Sequence, residues 1–123
     1  MTQRILVVDD QEDNRRILRD LLTASGFEVI EAKTGEESVA LAEAETPSLI
    51  LMDIQLPGID GYEATRQIKA KPALSATPLI VVTSYALSGD EAKTFAAGAD
   101  AYVSKPFSPR ALLAKVREFL GPA

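Results

Sequence analysis

Six polar residues stand where short apolar runs end. Asp9 and Asp10 follow Ile5-Leu6-Val7-Val8, and Asp53 follows Leu49-Ile50-Leu51-Met52. Thr83 and Ser84 close Leu79-Ile80-Val81-Val82, and Lys105 comes just after Ala101-Tyr102-Val103. Taken singly, each has an ordinary role. Asp9-Asp10 can cap a helix, Thr83-Ser84 can end a strand, and Lys105 can be a solvated loop lysine. Brought together they would be carboxylates, hydroxyls and one ammonium. Crowded carboxylates raise one another's pKa unless a cation compensates them. Mg²⁺ suits such a set, since it takes oxygen ligands from one or two carboxylates, waters and a substrate phosphate. A carboxylate can also attack phosphorus and become an aspartyl phosphate. Metal and ammonium would then neutralise the charge on the transferring group, which is most of what phosphoryl transfer asks of a protein.

The elements around these residues place them at one rim. The run ending at Asp53 is uninterrupted by polar residues and is followed by Pro57, Gly58 and Gly61, as expected of a strand buried on both faces. Similar strands are expected at Ile5–Val8, Phe27–Ala32, Pro78–Thr83 and Ala101–Val103. Between them, Ile17, Leu18, Leu21 and Leu22 keep helical spacing from Gln11 to about Ala24, where Ser25-Gly26 stops the helix. Thr34-x-x-Glu37 opens a helix to about Glu45, and Asp60-x-x-Glu63 opens one to about Lys71. Ser88-x-x-Glu91 opens a short helix ended by Gly98. Ser108-Pro109 opens the last, with Leu112, Leu113, Val116, Phe119 and Leu120 on one face. Strand and helix alternate five times, which calls for an α/β fold: a doubly wound parallel sheet with helices on both faces. Ligands bind such sheets outside the strand carboxyl ends.

Composition narrows the chemistry. The 123 residues suit one domain, 1–123, with no output domain expected after the last helix. With 46% hydrophobic and 25% charged residues, the chain is that of an ordinary globular protein. There is no Cys and no His, which excludes disulfides, thiolate sites and imidazole catalysis, and the chain cannot itself carry a phosphohistidine. A net charge of −5 argues against nucleic acid. With neither a signal peptide nor a run of membrane-spanning length, a cytoplasmic location is expected.

The segments Val7-Val8-Asp9-Asp10, Met52-Asp53-Ile54-Gln55-Leu56-Pro57-Gly58-Ile59-Asp60-Gly61, Val82-Thr83-Ser84-Tyr85-Ala86 and Tyr102-Val103-Ser104-Lys105-Pro106-Phe107 resemble the receiver domain of two-component response regulators. The resemblance covers essentially the whole chain and is greatest to stand-alone receivers of the DivK and CheY type. It implies a flavodoxin-like sheet of order 2-1-3-4-5 with five helices. It implies that Asp53 is the phosphoacceptor, that Asp10 binds Mg²⁺ directly, that Asp9 holds metal-bound water, and that the Gln55 backbone carbonyl is the remaining protein ligand. Thr83 and Lys105 would contact the phosphoryl group, with Ser84 beside them. Thr83 and Tyr102 would form the switch, and Lys105-Pro106 would be cis. Gln55 and Tyr85 occupy variable flanking positions that tune phosphoryl lifetime. A histidine kinase or histidine phosphotransfer protein would be the donor. A downstream protein would read the face of the fourth helix, fifth strand and fifth helix.

Two other functions fit the same residues less well. A Mg²⁺-dependent phosphohydrolase with an Asp nucleophile lacks a second carboxylate two residues after Asp53, where Gln55 stands. A flavin protein of similar fold would need Ser/Thr/Gly-rich loops after the first and third strands, and these are lacking.

Overall fold

The computed structural model describes residues 2–83 and 90–121. Ten elements alternate along the chain: β1 (Arg4–Val8), α1 (Glu12–Ala24), β2 (Glu28–Ala32), α2 (Gly35–Glu45), β3 (Leu49–Asp53), α3 (Gly61–Lys69), β4 (Leu79–Thr83), α4 (Asp90–Ala96), β5 (Ala101–Ser104) and α5 (Pro109–Leu120). The strands form one sheet in the order β2-β1-β3-β4-β5, and every pairing is parallel. The chain runs from β1 outward to β2, then returns across β1 to build β3, β4 and β5. The order therefore reverses between β1 and β3, and crevices of doubly wound sheets open at such a reversal. Asp9 and Asp53 lie at the carboxyl ends of those two strands.

The pleat sorts the core into two layers. Side chains alternate along a strand, so Ile5, Val7, Leu49, Leu51, Ile80 and Val82 pack with Leu18 and Leu22 of α1 and Leu112 and Val116 of α5. Leu6, Val8, Ile50, Met52, Leu79 and Val81 pack with Ala42 of α2 and with Ala64 and Ile68 of α3. Every residue of β3 and β4 is buried, and each fully buried aliphatic side chain contributes about 1.5–3 kcal/mol. The edge strand β2 is only partly covered.

The helix starts use the caps that the spacing suggested. Thr34 Oγ1 accepts from the N–H of Glu37 at 3.0 Å, Asp60 Oδ1 from that of Glu63 at 2.9 Å, and Ser108 Oγ from that of Ala111 at 3.3 Å. The Ser88 cap lies outside the described residues. α1 differs: Gln11 holds the cap position without a side-chain cap bond, and Asp9 Oδ1 accepts from the Gln11 N–H at 2.9 Å. At its far end α2 stops on Thr46, whose φ of 41° is left-handed for a β-branched residue.

One sequence expectation fails in α1. Ile17 is 54% exposed, whereas Arg15 is buried at 3%. The buried stripe is Arg15–Leu18–Leu22: the guanidinium, with its carboxylate and carbonyl partners, is buried on one side of Leu18 and Leu22, and Ile17, about 200° around the helix from Arg15, is turned outward. In α5, Phe119 is likewise turned partly outward, at 37% exposure, while Leu112 and Val116 take the core.

Candidate active site

The site grows from three strand ends. Asp53 is the last residue of β3 and is 6% exposed. Asp9 follows β1, is 2% exposed, and is tied by its N–H to Ala32 O of β2 at 3.1 Å. Lys105 follows β5 and returns over the rim, with its N–H bonded to Thr83 O at 2.7 Å; the Lys105–Pro106 bond is cis. Its Nζ lies 3.1 Å from Asp9 Oδ2 and 3.5 Å from Asp53 Oδ2. Asp10 is exposed beside them, and the three aspartates present carboxylate oxygens within 4.8 Å of one another.

A cleft of about 380 Å³ lined by Asp10, Gln11, Asn14, Asp53, Gln55 and Lys105 opens onto this set. Its floor is shaped by the loop after β3. The Gln55 N–H donates to Asp53 Oδ1 at 3.3 Å. The Ile54 carbonyl accepts from the N–H groups of both Leu56, at 3.1 Å, and Gly61, at 2.9 Å. A Cβ on Gly61 would overlap the carbonyl oxygen of Asp53, so glycine is what lets α3 begin against the end of β3.

The electrostatics follow from burial. Desolvation pushes the Asp53 carboxyl above its ordinary pKa. The Lys105 charge pulls it back, the Asp9 carboxylate pushes it up again, and the Gln55 N–H lowers it; the net displacement is upward. A buried carboxylate beside a second carboxylate, with one ammonium between them, is short of positive charge. Oxygen donors this close suit a hard divalent cation, so the residues present fit Mg²⁺.

The other expected residues fall as follows. Thr83 ends β4, buried at 1% exposure, one rung beyond the Asp53–Val82 pair and opposite Ser104. By the pleat it shares a sheet face with Val81, whose partner is Tyr102. Tyr102 is half-buried, and its ring meets that of Phe95 edge-on, with centroids 6.5 Å apart and planes at 81°. Gln55 is exposed at the cleft mouth. Ser84 and Tyr85 lie outside the described residues. Residues the sequence reading passed over are Arg15, which donates to the Asp9 carbonyl at 2.8 Å, and Asn14 in the cleft wall. Arg15 lies three residues before Leu18 and seven before Leu22, on the same helix face, but a charged residue does not register in a hydrophobic pattern.

Comparison with known proteins agrees with this geometry. The model of the response regulator receiver domain matches residues 5–117. This chain is a receiver domain. As a receiver it belongs to two-component signalling, where such domains act as switches rather than classical enzymes and interact with histidine kinases or phosphotransfer proteins. It is 42% identical to the polar-differentiation response regulator DivK of Brucella ovis, over the full length of both chains. Among solved structures, the receiver domain of a sensor histidine kinase of Pseudomonas aeruginosa is 35% identical, with a TM-score of 0.92 over 98% of this chain and 99% of that one; it has a magnesium ion coordinated in its active-site cleft. A CheY-like receiver domain of Methanospirillum hungatei is 38% identical, with a TM-score of 0.87 over 96% and 93%. Among the described residues of the present receiver, no helix is long and apolar enough to cross a membrane.

Proposed function

We propose that this receiver is a single-domain response regulator, 1–123, that takes a phosphoryl group onto Asp53 from a phosphohistidine of a kinase or phosphotransfer protein. The observation that carries this reading is the position of Asp53: buried, 3.5 Å from Lys105 Nζ, and within 4.8 Å of the Asp9 and Asp10 carboxylates. An Asp53 carboxylate oxygen attacks the phosphorus, the P–N bond to the donor imidazole breaks, and the electron pair leaves with that ring, which takes up a proton. Lys105 holds its ammonium against the oxygens that gain charge. Asp10, Asp53 and the Gln55 carbonyl would hold Mg²⁺ directly, with Asp9 on its bound water. When bound, the ion neutralises phosphoryl charge.

Thr83, Ser84 and Lys105 contact the phosphoryl group in this reading, while Gln55 and Tyr85 set how readily water reaches it. The message leaves through Thr83 and Tyr102. Both belong to one face of the sheet, and the Tyr102 ring rests on Phe95, itself 44% exposed on α4. A downstream protein reads the α4–β5–α5 face, in the cytoplasm and without nucleic acid.

The test is exposure of the chain to acetyl phosphate with Mg²⁺, followed by intact-mass measurement. One phosphoryl adduct is expected in wild type and none in Asp53→Asn or after chelation. A persistent adduct in Asp53→Asn would remove Asp53 as acceptor.

A further inference from the structure

Arg15 is a buried cation next to the acidic pair, and the chemistry above does not use it. Its guanidinium reaches three elements. Nη1 donates to the Asp9 carbonyl at 2.8 Å, Nε donates to Glu31 Oε1 on β2 at 3.2 Å, and Nη2 pairs with Glu12 in the first turn of α1. Glu31 in turn accepts from Arg19 Nη1 at 2.9 Å. A planar fork of donors holds several acceptors in fixed directions at once, which an ammonium does not do.

We propose that Arg15 is a positioning residue for the cation site, fixing the Asp9–Asp10 peptide plane from which the Asp10 side chain departs. The proposal rests on the Mg²⁺ reading above. Asp9 is already held by its own side chain, through the Gln11 N–H at 2.9 Å and Lys105 at 3.1 Å. Asp10 is different. It is exposed, and among the described residues its carboxylate has no hydrogen bond or ion pair. Its direction is therefore set by the backbone alone. That backbone is held before Asp9 by the Asp9 N–H to Ala32 and after Asp10 by the Gln11 N–H to Asp9 Oδ1, while the carbonyl of the Asp9–Asp10 peptide itself is held by Arg15. Without the guanidinium, the Asp9 carbonyl loses the bond that fixes its direction, and the Asp10 carboxylate turns away from the convergence. Partners that orient a metal ligand typically matter by about 10–100-fold in affinity when lost.

The test is a MgCl₂ titration of the full chain, followed through the backbone amide signals of Asp10 and Gln11, at a temperature where circular dichroism shows each variant folded. Arg15→Gln is expected to weaken Mg²⁺ binding about tenfold and to shift the Asp10 amide signal even before Mg²⁺ is added. Arg15→Lys should recover part of the affinity. Glu31→Gln keeps an acceptor for Arg15 while weakening the ion pair, so it should lower stability yet bind Mg²⁺ as wild type does. Wild-type affinity in Arg15→Gln overturns the proposal, as does an equal loss in Glu31→Gln, which would reduce Arg15 to general support. Should Arg15→Gln fail to fold, Arg15→Lys decides: weaker binding than in Glu31→Gln supports the proposal, and equal binding overturns it. A wild-type chain with no saturable Mg²⁺ response is a separate outcome, which removes the Mg²⁺ reading itself and this proposal with it.

Discussion

Lys105 Nζ stands closer to Asp9 than to the proposed acceptor, at 3.1 Å from Asp9 Oδ2. The ammonium is thus shared between two buried carboxylates rather than committed to Asp53, and it relieves the repulsion between them. Under the proposed function, a phosphoryl group on Asp53 would offer the same ammonium a stronger anion within reach.

Lys105→Met should therefore raise the Asp53 pKa further, because the charge that lowers it is removed while burial and Asp9 remain. Carboxyl-carbon NMR titration of Mg²⁺-free protein reads this directly. An unchanged or lower Asp53 pKa in the variant would mean that Lys105 does not act on Asp53.

Asp53 also links pH to stability. Its folded-state pKa lies above the ordinary value, chiefly through desolvation. Between the unfolded and folded pKa values the native state binds more protons than the unfolded one, so stability falls as pH rises through that window. At neutral pH the ionised group is a net cost. Asp53→Asn should then be more stable than wild type near pH 7 without Mg²⁺, and the difference should shrink as the pH falls through the Asp53 pKa. Urea denaturation of both proteins at neutral and acidic pH checks the sign.

Mg²⁺ should reverse that order. A ligand that binds only the native state adds about 2.7 kcal/mol at one hundred times its Kd. Wild type should gain a rise in Tm with MgCl₂ that EDTA abolishes. Asp10→Asn and Asp53→Asn should lose most of that rise. Calorimetric scans with and without EDTA measure it, and an undiminished rise in both variants would place the ion elsewhere.

At the end of α2, Thr46 adopts a φ of 41° while its N–H bonds to Ala42 O. A side chain with a branched Cβ is strained there by about 1–2 kcal/mol. Thr46→Gly should stabilise the fold, by about 0.5–1 kcal/mol once the greater entropy of the unfolded chain is subtracted. The residue is remote from the cleft, so phosphorylation by acetyl phosphate should be unchanged. A lower midpoint in urea would show that Thr46 makes compensating contacts.

Much of this molecule was legible along the chain. The apolar runs, the capping residues and the polar breaks are local signals, and the elements lie within a few residues of their expected bounds. α3 ends at Lys69 rather than Lys71 because the last residues tighten, with the Lys71 N–H bonded to Ile68 O. Strand order was not readable in that way, since pairing β1 with β3 joins residues more than forty positions apart; it came from resemblance. Arg15 was hidden for another reason. Its partners are a backbone carbonyl and the side chains of Glu12 and Glu31, and hydrophobic periodicity registers none of these.

The clasp at the start of α3 has a consequence for chain length. Main-chain bonds at Ile54 and the close approach of Gly61 to Asp53 close residues 54–61 into a ring at the cleft. A peptide inserted there would lengthen that ring beside the cleft mouth, where Gln55 lines the opening. The connection between α3 and β4, by contrast, lies at the opposite, amino-terminal edge of the sheet. An insertion at the exposed Ser75–Ala76 step, beside the buried Leu74, should therefore leave the acidic rim with its geometry.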